Sequence, residues 1–278
     1  MGVEAQKLLR PFACLEPKIK KSPMDIKSKP IELPSEGYFY PKDHPLSDGT
    51  VEVRHMVAKD EDLLSDEQLI QKGEAIDKLL ENVIVEEGVE LDDVLNGDIG
   101  GIMLATRILG YGPDYAFETE CPVCGEQNQK SADLTEIQSK DVPFEEFEIH
   151  QTRFEKQLPV TGANVTFKLL TRGDVQQINN ELDRVKRNAA GKKSSGPQVS
   201  TNMTTRLRHL IEEVNGETSM AEIREFVDNM PAKDSLALRR EVARINPDMD
   251  LEYEFICDFC GHKEMMDIPL DETFFFPT

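Results

Sequence analysis

Four cysteines stand out in this sequence as candidate ligands for a metal. Cys121-Pro122-Val123-Cys124-Gly125 and Cys257-Asp258-Phe259-Cys260-Gly261 are two CxxCG turns set far apart in a chain of 278 residues. In each, two sulfurs can point the same way, and the glycine permits positive φ so that backbone amides also face the sulfurs. Together Cys121, Cys124, Cys257 and Cys260 supply four thiolates, the shell of a tetrahedral Zn²⁺. Such a shell leaves no position for water, so the chemistry expected is structural fastening and not catalysis. Zinc would tie the middle of the chain to its C-terminal part. Four of the five cysteines lie in CxxC pairs and no apolar signal region follows Met1, which favours reduced thiols and a metal over disulfides. Cys14 is left over as a small apolar residue. A thioredoxin-like redox centre needs a strand before and a helix after the motif, whereas polar and then extended residues follow each pair, Glu126-Gln127-Asn128-Gln129 and His262-Lys263-Glu264.

No other constellation competes. The sequence has no GxSxG, Walker A or HExxH motif, and His44, His55, His150, His209 and His262 are scattered. His262 alone adjoins a CxxCG turn and reads as a surface group or a partner of the ligands. Among 53 acidic residues no carboxylate pair stands out. With 32 basic residues the net charge is −21, which repels a phosphate backbone, and the turns themselves are flanked by Glu118, Glu120, Glu126, Glu254 and Asp258. Nucleic acid is therefore not the expected partner. The apolar run Ile99 to Leu109 is well short of the roughly 20 residues a membrane span needs. Met1-Gly2 begins like a myristoylation site, but Gln6 replaces the expected Ser or Thr.

Periodicity sets out the helices and strands that carry the cysteines. Residues 1–30 form an extended arm, punctuated by Pro11, Pro17, Pro23 and Pro30 and rich in lysine, with enough apolar residues to order on a neighbour. Val51-Glu52-Val53-Arg54-His55 alternates as a half-buried strand does. Asp66 can cap a helix with Leu69, Ile70, Ile76, Leu79, Leu80 and Val83 on one face. Ile99 to Leu109 is a core helix stopped at Gly110-Tyr111-Gly112-Pro113, and Tyr115 to Thr119 is a strand into the first turn. Further on, a hairpin about Val160 to Asn164 returns along Val165 to Leu169. Asp174 opens a helix through Arg187 with Val175, Ile178, Leu182 and Val185 inward, and residues 189–200 are a flexible loop by composition. Helices are expected over Thr204 to Val214, Ser219 to Asn229 and Asp234 to Ile245, then a strand, Leu251 to Ile256, into the second turn. The terminal Phe274-Phe275-Phe276 either locks the chain end into its own core or inserts into a partner.

Superposing the two turns aligns Phe117-Glu118 with Tyr253-Glu254, Gly125 with Gly261 and Leu134 with Leu270. Upstream, Val51-Glu52-Val53-Arg54 with Asp60 aligns with Val165-Thr166-Phe167-Lys168 with Asp174. The reading is an α+β protein, with helical subdomains and small antiparallel strands joined by a zinc ribbon with one four-cysteine site. It has an arm (1–30), a first half (31–140) and a second half (141–278). The matches point to an internal duplication with pseudo-two-fold symmetry about the metal; chance matching of common strand-before-helix patterns is the alternative.

Several of these residues carry a family resemblance. The entry Leu33-Pro34-Ser35-Glu36-Gly37-Tyr38, the run Val51 to Met56 leading to Lys59-Asp60-Glu61-Asp62, the helix about Ile76-Asp77-Lys78-Leu79-Leu80 and the first CxxCG together resemble the T4-type baseplate hub proteins of contractile-tailed phages, best over residues 31–140. The resemblance implies a non-enzymatic hub subunit or hub assembly factor, present in the host cytoplasm during assembly and then in the virion tail baseplate. Its partners would be other baseplate and hub proteins, reached through the arm and Phe274, Phe275 and Phe276. The only site residues carried over are the four cysteines. The rival from another class is a zinc-ribbon regulator that binds nucleic acid or RNA polymerase.

Overall fold

The computed structural model describes residues 27–190, 202–270 and 272–275. The arm up to residue 26, with Cys14, most of the loop expected at 189–200, and Phe276 lie outside the described residues.

The first half opens with β1 (Ser28–Glu32) and β2 (Thr50–Arg54), an antiparallel pair in which Ile31 faces Val51. Val51 and Val53 are buried while their neighbours are partly exposed, as the alternation predicts. The chain then turns through α1 (Ala58–Leu64), α2 (Glu67–Lys72) and α3 (Ala75–Val83). The single amphipathic helix expected after Asp66 is two: Gly73 takes φ 70° and caps α2, and α3 starts afresh two residues later. α3 buries Leu79, Leu80 and Val83. Next come α4 (Asn96–Tyr111), β3 (Asp114–Glu120) and β4 (Gln127–Asp133).

The second half has a similar order with one strand added. β5 (Phe154–Gln157) and β6 (Asn164–Phe167) pair antiparallel, α5 (Arg172–Ala190) and α6 (Asn202–Leu210) follow, and β7 (Ile211–Val214) adds a third strand beside β6. The helix expected to run to Val214 therefore stops at Leu210, because its last four residues satisfy their backbone groups across a ladder. Val185, expected inward on α5, is 43% exposed. Then α7 (Met220–Asp228), α8 (Ala232–Ile245), β8 (Glu252–Ile256) and β9 (Lys263–Asp267) complete the chain up to one 3₁₀ turn, Glu272–Phe275.

Matching contacts recur in the two halves. Asp60 takes both Arg54 terminal nitrogens, at 2.7 and 2.9 Å, and the Val57 N–H at 2.9 Å; Asp174 takes Lys168 Nζ at 2.8 Å and the Thr171 N–H at 3.1 Å. Val53 bridges Ile84 as Phe167 pairs with Ile211. Two Leu-Pro-x-x-Gly turns, Leu33 to Gly37 and Leu158 to Gly162, each end in a left-handed glycine, at φ 77° and 68°. Each turn is gripped by a buried aspartate in the first turn of a helix. Asp98 of α4 accepts Ser35 N–H, Ser35 Oγ and Tyr40 Oη at 2.8 Å each. Asp234 of α8 accepts Val160 N–H at 2.7 Å, Thr161 N–H at 3.0 Å and Thr161 Oγ1 at 2.8 Å.

One core runs through both halves, joining Leu79, Leu80 and Ile102 to Phe167, Leu238 and Ile245. The halves also share backbone bonds, Asn96 N–H to Leu170 O at 2.9 Å and Arg172 N–H to Val94 O at 2.8 Å. The N-terminus of α4 lies so close to the segment just after α8 that a Cβ on Gly97 would overlap the Pro247 carbonyl oxygen. Lys140 crosses the same seam, its Nζ donating to Ala243 O and Asn246 O at the C-terminus of α8, where a cation complements the free carbonyls.

Phe274 and Phe275 are fully buried in this core, so the expected partner contact through those two rings is corrected. Arg107, itself 1% exposed, donates through Nε to Phe274 O at 2.8 Å, and Phe274 meets Tyr115 edge-on at 4.9 Å. Enclosing both rings and satisfying the turn's carbonyl removes more apolar surface from water than an exposed pair could.

Candidate metal centre

Two ribbons carry the cysteines. β3 pairs with β4 from Asp114 opposite Asp133 to Glu120 opposite Gln127, and β8 pairs with β9 from Glu252 opposite Asp267 to Ile256 opposite Lys263. Each ribbon closes in the same knuckle. Cys121 N–H donates to Glu126 O at 3.0 Å and Gly125 N–H to Cys121 O at 2.9 Å; in the second, Cys257 N–H donates to His262 O at 2.8 Å and Gly261 N–H to Cys257 O at 3.0 Å. Gly125 and Gly261 sit at φ 73° and 71°, where a side chain would be strained. One constant offset relates the knuckles, the strand registers, and Asp98 to Asp234.

The knuckles meet. The four Sγ atoms of Cys121, Cys124, Cys257 and Cys260 all lie within 4.8 Å of one another. The short contacts cross between the ribbons, Cys121 to Cys260 at 3.7 Å and Cys124 to Cys257 at 3.6 Å. Exchanging one knuckle for the other converts the first contact into the second. Cys121 and Cys257 are buried, on Phe255, Tyr253 and Met266, while Cys124 and Cys260 are exposed.

These separations fit a metal. A tetrahedron with Zn–S bonds of about 2.3 Å has S···S edges of about 3.8 Å, close to both short contacts. A disulfide needs about 2.05 Å, so the sulfurs are thiols poised around a common centre. Burial opposes charge on Cys257, but the Cys260 and Phe259 N–H groups and the neighbouring thiols outweigh it and hold Cys257 down at about 6. Cys260 shifts the other way: the His262 backbone contact lowers its pKa, but burial and the adjoining Cys257 and Cys121 thiols prevail and push it up. Four sulfurs this close cannot all be anionic without a cation.

Residues around the ligands complete the site. Asn128, 1% exposed on β4, donates through Nδ2 to Cys257 Sγ at 3.7 Å and to Glu126 O at 2.8 Å, and its Oδ1 accepts the Asp258 N–H at 2.7 Å. It thus staples one ribbon's strand to the other's knuckle. Sequence reasoning did not single it out; the available signal was an amide at an inward position of a ribbon strand. Lys130 reaches Asp258 at 2.8 Å across the same junction and covers the Phe255 ring at 5.6 Å. His262 is outside the four-sulfur cluster and pairs with Glu264 at 3.1 Å.

Fold and site together define an α+β protein whose two ribbons bring four thiols into metal-holding geometry. Over residues 37–276 the chain matches the family described as T4 bacteriophage base plate protein, and it belongs to that family. The match extends the likeness beyond residue 140 and takes in both knuckles. Comparisons with curated proteins and with solved structures gave no match. Among the described residues, no helix is long and apolar enough to cross a membrane.

Proposed function

We propose that this baseplate protein is a non-enzymatic hub subunit or hub assembly factor, held together by one structural Zn²⁺ on Cys121, Cys124, Cys257 and Cys260. The observation that carries the reading is the convergence of four sulfurs from two remote knuckles in a chain of baseplate lineage. The ion neutralises thiolates that would otherwise repel one another, and it joins a duplicated pair of halves at their pseudo-two-fold axis. Its role is mechanical: the four-thiolate shell leaves no coordination position for a substrate. The protein works in the host cytoplasm during assembly and in the tail baseplate, through contacts with other baseplate proteins in which the arm takes part.

Metal analysis of the purified protein should give about one zinc per chain; less than about half would remove the clamp. Fractionation of assembling tails should find the chain with baseplate or hub particles, and its absence from all of them would remove the assembly role. The rival regulator predicts strong, salt-sensitive binding to DNA or RNA, which the net charge of −21 opposes.

A further inference from the structure

α4 and α8 occupy corresponding places, each starting two residues before the aspartate that grips a Leu-Pro-x-x-Gly turn and each leading into a ribbon strand. Their corresponding faces are covered differently. On α4, Met103, Thr106 and Arg107 are buried, and the Phe274–Phe275 turn forms part of the cover, held by Arg107. On α8 the same positions are Arg239, Val242 and Ala243. Together with Met203, Leu207 and Leu210 of α6 they line an apolar groove of about 220 Å³. Arg239 and Ala243 are exposed, and no turn of the described chain closes the groove.

Its chemistry selects an occupant. The volume is below the roughly 300–1,000 Å³ of small-molecule pockets and suits an aromatic side chain on a peptide. Arg206 and Arg239 border the groove, and neither has a carboxylate partner among the described residues. Guanidinium groups with no carboxylate partner among the described residues, set beside apolar surface on a molecule this acidic, favour a ligand with carboxylates next to aromatic rings. The 3₁₀ turn this chain folds onto α4, Glu272–Phe275, follows Leu270-Asp271 in sequence, and the stretch has that composition. The lysine-rich arm does not, since the two arginines would repel it.

We propose that the α6–α8 groove docks a short acidic, aromatic segment of another baseplate protein, of the kind this chain uses to cover α4. The choice of a baseplate partner rests on the function proposed above; the groove's preference for acid plus aromatic does not. The test titrates a fluorescent synthetic peptide of residues 268–278 into the full-length protein and follows its anisotropy. The expected result is saturable binding, weakened at least about tenfold by Arg206→Glu with Arg239→Glu or by Val242→Asp, and lost when both Phe274 and Phe275 of the peptide are alanine. The arginines are exposed, so their exchange leaves the core intact. Absence of binding overturns the proposal. So does binding that the groove substitutions leave unchanged, which would mean exchange at the α4 seat, or displacement by a peptide of residues 1–26, which would make the arm the occupant. No baseplate enters this readout, so its failure removes the docking site and leaves the assembly role standing; failure of the particle fractionation does the reverse.

Discussion

At the scale of single residues, Asp98 and Asp234 do similar work in different electrostatic settings. Burial, with Asp248 nearby, raises the pKa of Asp98 to about 6 against the pull of the Ser35 and Tyr40 hydrogen bonds. An unfolded aspartate titrates near 3.8. The folded chain therefore keeps a proton that the unfolded chain releases between those values. Asp98's contribution to stability is full below about pH 3.8 and is lost as pH rises through about 6. Thermal melts from pH 4 to 7 should show the unsubstituted chain losing about 2–3 kcal/mol relative to Asp98→Asn, and parallel curves would refute the assignment. At Asp234 burial also opposes charge, but Thr161 and Val160 prevail and hold the carboxyl below the usual carboxylate range. Asp234→Ala leaves the Val160 N–H and the Thr161 N–H and hydroxyl without their acceptor. It should cost at least about 2 kcal/mol in denaturant unfolding. Neither aspartate was legible in the sequence, because nothing local distinguishes a buried carboxylate among 53 acidic residues.

At the scale of elements, periodicity located most helices and ribbon strands and misjudged places where a neighbour decides. The apolar face from Leu69 to Val83 is continuous in sequence, yet Gly73, at φ 70°, caps α2 in the left-handed region and divides the helix. The stretch ending at Val214 has helical spacing, but β6 offers Ile211 to Val214 a ladder and the strand forms. Helix α4 tests how closely elements approach. A Cβ at Gly97 would overlap Pro247 O, while one at Gly100 would meet Met249 at an ordinary 3.5 Å. Gly97→Ala should destabilise by about 2 kcal/mol or more through forced displacement of backbone. Gly100→Ala should be neutral or stabilising by up to about 1 kcal/mol, since alanine is the better helix former. Equal effects in denaturant melts would refute the packing argument.

At the scale of the whole molecule, the proposed metal clamp joins two remote parts, whose four sulfurs lie within 4.8 Å of one another, into one unit. Cys121→Ser should lower stability by about 3 kcal/mol or more, seen as a drop of roughly 6–12 °C in Tm, and chelation of the unsubstituted chain should reproduce it. Cys257→Ser should match Cys121→Ser. The double variant should be little worse than either, because the clamp is already open after one loss. Additive losses would mean that the knuckles stabilise their own ribbons independently. Asn128→Ala should weaken metal retention during chelator competition by about tenfold while leaving all four ligands in place.

The sequence alone determined the identity of the four thiols, the two knuckles, the α+β character and the likeness to baseplate proteins. These reside in local spacing and composition, which survive without three-dimensional information. The folded molecule was needed to show that Cys121 faces Cys260 and Cys124 faces Cys257, that Asn128 staples the ribbons, and that Phe274 and Phe275 belong to this chain's own core. It also revealed the second Leu-Pro-x-x-Gly turn gripped by Asp234, which in sequence reads as an ordinary hairpin loop. The physical reason is common to all four. Contacts between residues remote in sequence depend on which surfaces the packed core leaves facing each other, and a residue's type does not record that.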